Sequence, residues 1–182
     1  MSARWLASTV DESVARKKLD LLARGGRFSL KRLISPSECR VTLECCVFPF
    51  REVLVPGRSG RSTELLVNGL TRDVFRHSES VVRNDQGPDP LGAAYPLSDD
   101  ETLEVVRQVL LTWKMNRLVN RTIDTESLRL GECLWYPFWV RLGEARSGKI
   151  SLEMLDGITG RPCGVMVKQS YLKLLKANQS CR

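Results

Sequence analysis

Two short runs carry the residue types best suited to gripping an anion. Arg58-Ser59-Gly60-Arg61 and Arg146-Ser147-Gly148-Lys149 each place two cations around a small, amide-rich turn. Cationic side chains flanking backbone N–H donors suit phosphate or carboxylate groups. Aromatic rings crowd around one proline in Trp135-Tyr136-Pro137-Phe138-Trp139. A ring left exposed beside arginines would stack a base or anchor a peptide. The candidate ligand-binding residues are therefore Arg58, Arg61, Arg146, Lys149, Trp135 and Trp139. A third run, Asp156-Gly157-Ile158-Thr159-Gly160, reads better as a turn: Asp accepts turn N–H groups, Gly takes positive φ and Thr caps. Asn68-Gly69-Leu70-Thr71-Arg72 has the same shape without the carboxylate, which argues against a shared anionic function.

Catalytic chemistry finds little to use, and no catalytic residue is assigned. The single histidine, His77, lies in the polar run Arg76-His77-Ser78-Glu79, a poor setting for a Ser-His-Asp or Cys-His arrangement. The six cysteines, Cys39, Cys45, Cys46, Cys133, Cys163 and Cys181, form no CxxC pair. Neither a metal site nor a cofactor is expected. Cys45 and Cys133 fall in apolar, strand-like runs, where a free thiol packs as a small hydrophobe.

The charge is uneven. The chain of 182 residues has 28 Lys+Arg against 21 Asp+Glu, a formal net charge of +7. Residues 1–84 contribute 15 − 9 = +6 and residues 85–182 contribute 13 − 12 = +1. Arginine outnumbers lysine 20 to 8. A basic half attracts nucleic acid or another acidic partner. The N-terminal residues show no apolar run of the signal-peptide kind, and no stretch approaches the ~20 apolar residues of a membrane span. A cytoplasmic protein is expected.

What must position these residues is written twice. Glu44-Cys45-Cys46-Val47-Phe48-Pro49-Phe50 recurs as Glu132-Cys133-Leu134-Trp135-Tyr136-Pro137-Phe138, an offset of 136 − 48 = 88. Across residues 44–71 that offset gives 10 identities without a gap, against roughly two expected from composition. Repetition on this scale decides architecture before local signals do. In the first copy, Thr9 and Glu12 have capping-box spacing, and Val10, Val14, Leu21 and Leu22 can share an apolar helical face that Gly25-Gly26 ends. Strands are expected at 28–34, 40–47, 50–55 and 62–67, with a short one at 73–75, and Pro49 should mark a bulge, an edge or a bend. Residues 84–96, rich in Gly and Pro, read as a linker. Ser98 and Glu101 open a second helix with Leu103, Val106, Val109, Leu110 and Trp113 at helical spacing. That box lies 98 − 9 = 89 residues after the first. Strands at 127–130, 132–136, 138–142 and 150–155 follow, and residues 165–177 read as a helix covering the sheet.

The run Ile150-Ser151-Leu152-Glu153-Met154-Leu155-Asp156-Gly157-Ile158-Thr159-Gly160 resembles the closing strand and turn of PepSY-type modules. Tyr136-Pro137-Phe138-Trp139-Val140 is similar to the strand that precedes this turn in many bacterial proteins. The first copy departs from the pattern at Arg72, where the second has Gly160. The resemblance implies a small α+β module, often duplicated, that binds or regulates rather than catalyses. The expected fold is thus α+β, with two tandem helix-plus-antiparallel-meander repeats, PepSY-like, and a C-terminal helix. The first repeat is placed at 1–84, the linker at 85–97 and the second repeat at 98–182. The expected activity is that of a non-enzymatic binding or regulatory interaction module, with another protein as partner. The alternative is nucleic-acid or polyanion binding by the basic first repeat. An enzyme in an inter-repeat cleft is the third option.

Overall fold

A computed structural model describes residues 4–23, 39–56, 62–76, 83–84, 86–88, 90, 95–116, 126–145 and 150–180. Expectations for the strand at 28–34, for Gly25-Gly26, for His77 and for both basic hairpin tips lie outside the described residues. The described chain is α+β, with three helices and a mixed set of strands. In order these are β1 (Arg4–Leu6), α1 (Glu12–Ala23), β2 (Cys39–Pro56), β3 (Ser62–Asn68), β4 (Val74–Arg76), β5 (Arg83–Asn84), α2 (Asp99–Met115), β6 (Arg129–Ala145), β7 (Ile150–Asp156) and α3 (Val165–Ser180). The mixture arises because β1 runs parallel to β6 but antiparallel to β5. The expected purely antiparallel meander is corrected to that extent: β1 is too short to show a period.

Two compact units divide the chain: residues 1–6 with 48–136, and residues 7–47 with 137–182. Their boundaries fall inside β2 and β6, whereas the Gly/Pro content places a boundary at 85–97.

In the first unit the strand order is β4-β3-β2-β6-β1-β5. Hairpin β2–β3 is antiparallel, with Phe50 opposite Asn68 and Pro56 opposite Ser62. Val53 and Val55 on β2, Leu65 and Val67 on β3, and Leu128 form a core with Val106 and Leu110 of α2. Leu103 and Trp113 complete the helix face half-buried. Ser98 caps α2 with the reciprocal box its sequence announces: Glu101 N donates to Ser98 Oγ at 3.2 Å and Ser98 N to Glu101 Oε2 at 2.9 Å.

In the second unit β6 and β7 pair antiparallel, with Phe138 opposite Asp156 and Glu144 opposite Ile150. Ala15 and Leu19 of α1 bury against Leu155, flanked by Val10, Leu22, Leu43 and Trp139. Arg141 Nε on β6 donates to Asp20 Oδ1 of α1 at 2.8 Å. The C-terminal helix α3 packs on β7: Lys168 Nζ donates to Glu153 Oε2 at 2.6 Å, and fully buried Tyr171 donates to Glu44.

Two features of α1 correct the sequence reading. Thr9 does not cap the helix; its N–H donates to Gly157 O at 3.0 Å and its hydroxyl to Ile158 O. Helical bonding opens one residue before Glu12, with Ala15 N donating to Asp11 O, as Thr102 N donates to Ser98 O in α2. The helices therefore correspond at 98 − 11 = 87 residues, not 89. The buried face is Ala15 and Leu19, while Val14 and Leu21 are exposed. A further correction concerns what each helix covers. Within the units, α1 packs on β7 and α2 on β3 and β4, strands of the other copy, while Leu43 beside α1 and Leu128 beside α2 come from each helix's own copy.

The two hairpins end in the same turn. Gly69 N donates to Pro49 O at 3.1 Å and Gly157 N to Pro137 O at 3.0 Å. Asn68 Oδ1 accepts from Leu70 N and Thr71 N, and Asp156 Oδ1 from Ile158 N and Thr159 N. Positive φ falls at the fifth position, 62° at Arg72 and 65° at Gly160, not at the second position, Gly69 and Gly157. Gly69 and Gly157 are glycines for space. A Cβ at Gly157 would lie 2.8 Å from Pro137 O, and one at Gly69 2.6 Å from Pro96 Cδ.

A left-handed residue other than glycine costs about 1–2 kcal/mol. Arg72 bears that cost, and its ion pair with Glu101, at 3.7 Å between exposed groups, offsets little. Arg72→Gly is expected to raise unfolding free energy by about 1 kcal/mol, and Gly160→Ala to lower it by a similar amount. Urea titrations of both variants read the two signs.

Candidate functional site

Of the residues that the sequence groups as a binding site, Trp135 and Trp139 are among those described. Arg58, Arg61, Arg146 and Lys149 lie outside the described residues. Trp135 belongs to the first unit, half-buried, with its ring 6.5 Å from that of Trp5 on the neighbouring parallel strand. Trp139 belongs to the second unit and is half-buried there. Its Nε1 donates to Val10 O at 2.9 Å and Ser8 Oγ at 3.2 Å, which pegs the ring to the residues just before α1. Between them, Tyr136 and Phe138 are buried, and Tyr136 stacks on Phe50 at 4.6 Å.

The polar cluster that does form was not expected. Alternation along β2 turns Arg51 to the same face as Val53 and Val55, and its side chain is only 9% exposed. Arg51 Nη1 donates to Cys133 Sγ on β6 at 2.8 Å, and Nη2 lies 3.7 Å from Asp99 Oδ1 at the start of α2. Tyr95, just before that helix, has its hydroxyl 3.2 Å from Thr102 Oγ1, which also donates to Ser98 O at 2.8 Å. Gly69 leaves the room that the Tyr95 ring and Pro96 fill. Burial pushes the Tyr95 phenol up to about 12; Cys133 and Asp99 add to the rise, while the Thr102 bond and Arg51 oppose it.

This arrangement is a guanidinium and a sulfur in contact, ringed by a neutral phenol, a hydroxyl and an exposed carboxylate. It can hold a nucleophilic sulfur or orient a small polar group. The signal for it was present: an arginine sharing strand parity with two core valines is an inward charge, and inward charges need partners. Burial raises Cys45, raises Cys46 well above its ordinary value, and pushes Cys163 up to about 12. Among the described residues, no three His, Cys, Asp or Glu side chains converge as a metal site. No helix of the described residues is long and apolar enough to cross a membrane. No family model, curated protein or solved structure matches the chain.

The Tyr95 phenol supplies a pH signature. The unfolded chain releases this proton near its ordinary value of 10.0, while the folded one holds it to about 12. The associated stability is present below pH ~10 and is lost as pH rises toward ~12. Wild-type unfolding free energy should fall more steeply over that window than that of Tyr95→Phe. Parallel slopes in urea titrations would show that the phenol titrates normally.

Proposed function

We propose that the chain is a non-enzymatic binding or regulatory interaction module, built from two tandem PepSY-like repeats, whose partner is another protein. The doubled turn chemistry supports the repeat. The observation that carries the partner is on the outer face of α2. Leu111 and Met115, one helical turn apart, are 53% and 84% exposed. Side chains at this spacing adjoin on a helix surface, and clustered apolar exposure marks contact sites more reliably than scattered apolar residues do.

Charge supports the same reading. Arg4, Arg16, Arg51, Arg72, Arg107, Arg141 and Lys168 each have a carboxylate within 4.0 Å. Cations paired at this range contribute less to an attractive field for a polyanion. The nucleic-acid or polyanion alternative rests on the excess of +6 in residues 1–84 and on the two Arg-Ser-Gly tips. It predicts binding to a labelled single-stranded oligonucleotide that weakens steeply with salt, and more on substitution of Arg58 and Arg61 than of Lys149. The free thiols Cys45, Cys46, Cys133 and Cys163 support a cytoplasmic setting.

The protein-partner reading is tested by photo-crosslinking in cells with Met115→p-benzoylphenylalanine. One discrete adduct is expected, lost when Leu111→Ser is added, and not formed from the same probe at the exposed Arg16 of α1. The Leu111→Ser change itself should move stability by no more than about 0.5 kcal/mol, as for an exposed position. Adducts that ignore Leu111→Ser, or none at all, would refute the reading.

A further inference from the structure

Among the four described free cysteines, Cys133 accepts a hydrogen bond from a cation: Arg51 Nη1 donates to Cys133 Sγ at 2.8 Å. The other three are pushed toward the neutral thiol, burial being the first cause in each case. Such thiols behave as small hydrophobes and react slowly. The chain also contains its own comparison. Cys45 stands 133 − 45 = 88 residues before Cys133, and Trp139 stands 139 − 51 = 88 residues after Arg51. The second copy thus has an indole where the first has a guanidinium, and that indole N–H is given to Val10 and Ser8. Cys45 keeps the sulfur without the arginine.

The geometry points to Cys133 as a site of oxidation by hydroperoxides, with Arg51 as the positioning residue that readies its sulfur. A thiolate is the attacking form, and a neighbouring guanidinium compensates its charge. Asp99 sits 3.7 Å from the far nitrogen of Arg51, but at 70% exposure water screens it. The Glu132 carboxylate lies 3.7 Å from Arg4, and strand alternation turns it to the face opposite Cys133. Cys133 is half-buried. In the step itself a sulfur lone pair forms an S–O bond as the peroxide O–O bond breaks. Sulfur loses two electrons to the peroxide, and the departing hydroxide or alkoxide takes a proton from water, leaving a sulfenic acid on Cys133. This inference is independent of the protein-partner reading.

The test uses the reduced full-length protein, hydrogen peroxide and dimedone, with each cysteine peptide quantified by mass spectrometry over time. Cys133 is expected to form its adduct about tenfold faster than Cys45, Cys46 or Cys163. Arg51→Met should bring Cys133 down about tenfold, to their range, while Arg51→Lys, which keeps a cation, should stay within about threefold of wild type. Circular dichroism identifies which variants fold. If Arg51→Met does not, the wild-type ratio of Cys133 to Cys45 decides alone. Equal rates at those two cysteines, an unchanged rate in Arg51→Met, or equal losses in the Met and Lys variants would overturn the assignment.

Discussion

A proline inside a strand has no N–H to give, so what its carbonyl does decides whether the strand can pass through it. In both long strands that carbonyl is taken by the glycine N–H of the turn closing the hairpin, Gly69 on Pro49 and Gly157 on Pro137. The bond sets how far the return strand slides, and therefore which residues of β3 and β7 face a helix. Leu65 and Val67 meet α2, and Leu155 meets α1, only in that register. A slip of one residue would turn these leucines and valines to the other face. The glycine is required because the approach to Pro137 O leaves no space for a Cβ.

The sequence was most legible where a signal is local. The box of Ser98 and Glu101 located α2 because both of its hydrogen bonds lie within four residues. Thr9 and Glu12 have the same spacing, yet Thr9 is drawn to the Gly157–Ile158 carbonyls of a turn almost 150 residues away. No local rule can see that competition. The buried face of α1 was also misread, because Ala15 is small and Leu19 stood among lysines, while Val14 and Leu21 looked more like a core than they are.

Hydrophobic period tells which side of a helix is buried, not against what. That is why the pairing of α1 with β7 and α2 with β3 could not be read from the chain, and why the turns, the hairpins and α3 could. The candidate site shows the same limit. Trp135 and Trp139 are adjacent by alternation but fall in separate compact units, and the second is consumed by hydrogen bonds. Arg51 was visible as a residue but not as a site, since its sulfur partner lies 133 − 51 = 82 positions away.

The exchange of helices has a consequence for how the chain can be divided. Scission in the Gly/Pro-rich stretch after residue 84 would leave α1 and β3 on one fragment and their partners β7 and α2 on the other. Each fragment would carry a strand that has lost a helix and a helix that has lost its strand, a poor candidate for independent existence. Mixed together, the fragments hold every missing half of the other. Reconstitution from two pieces is thus a property written into the topology, and so is its counterpart: two intact chains could trade the same helices.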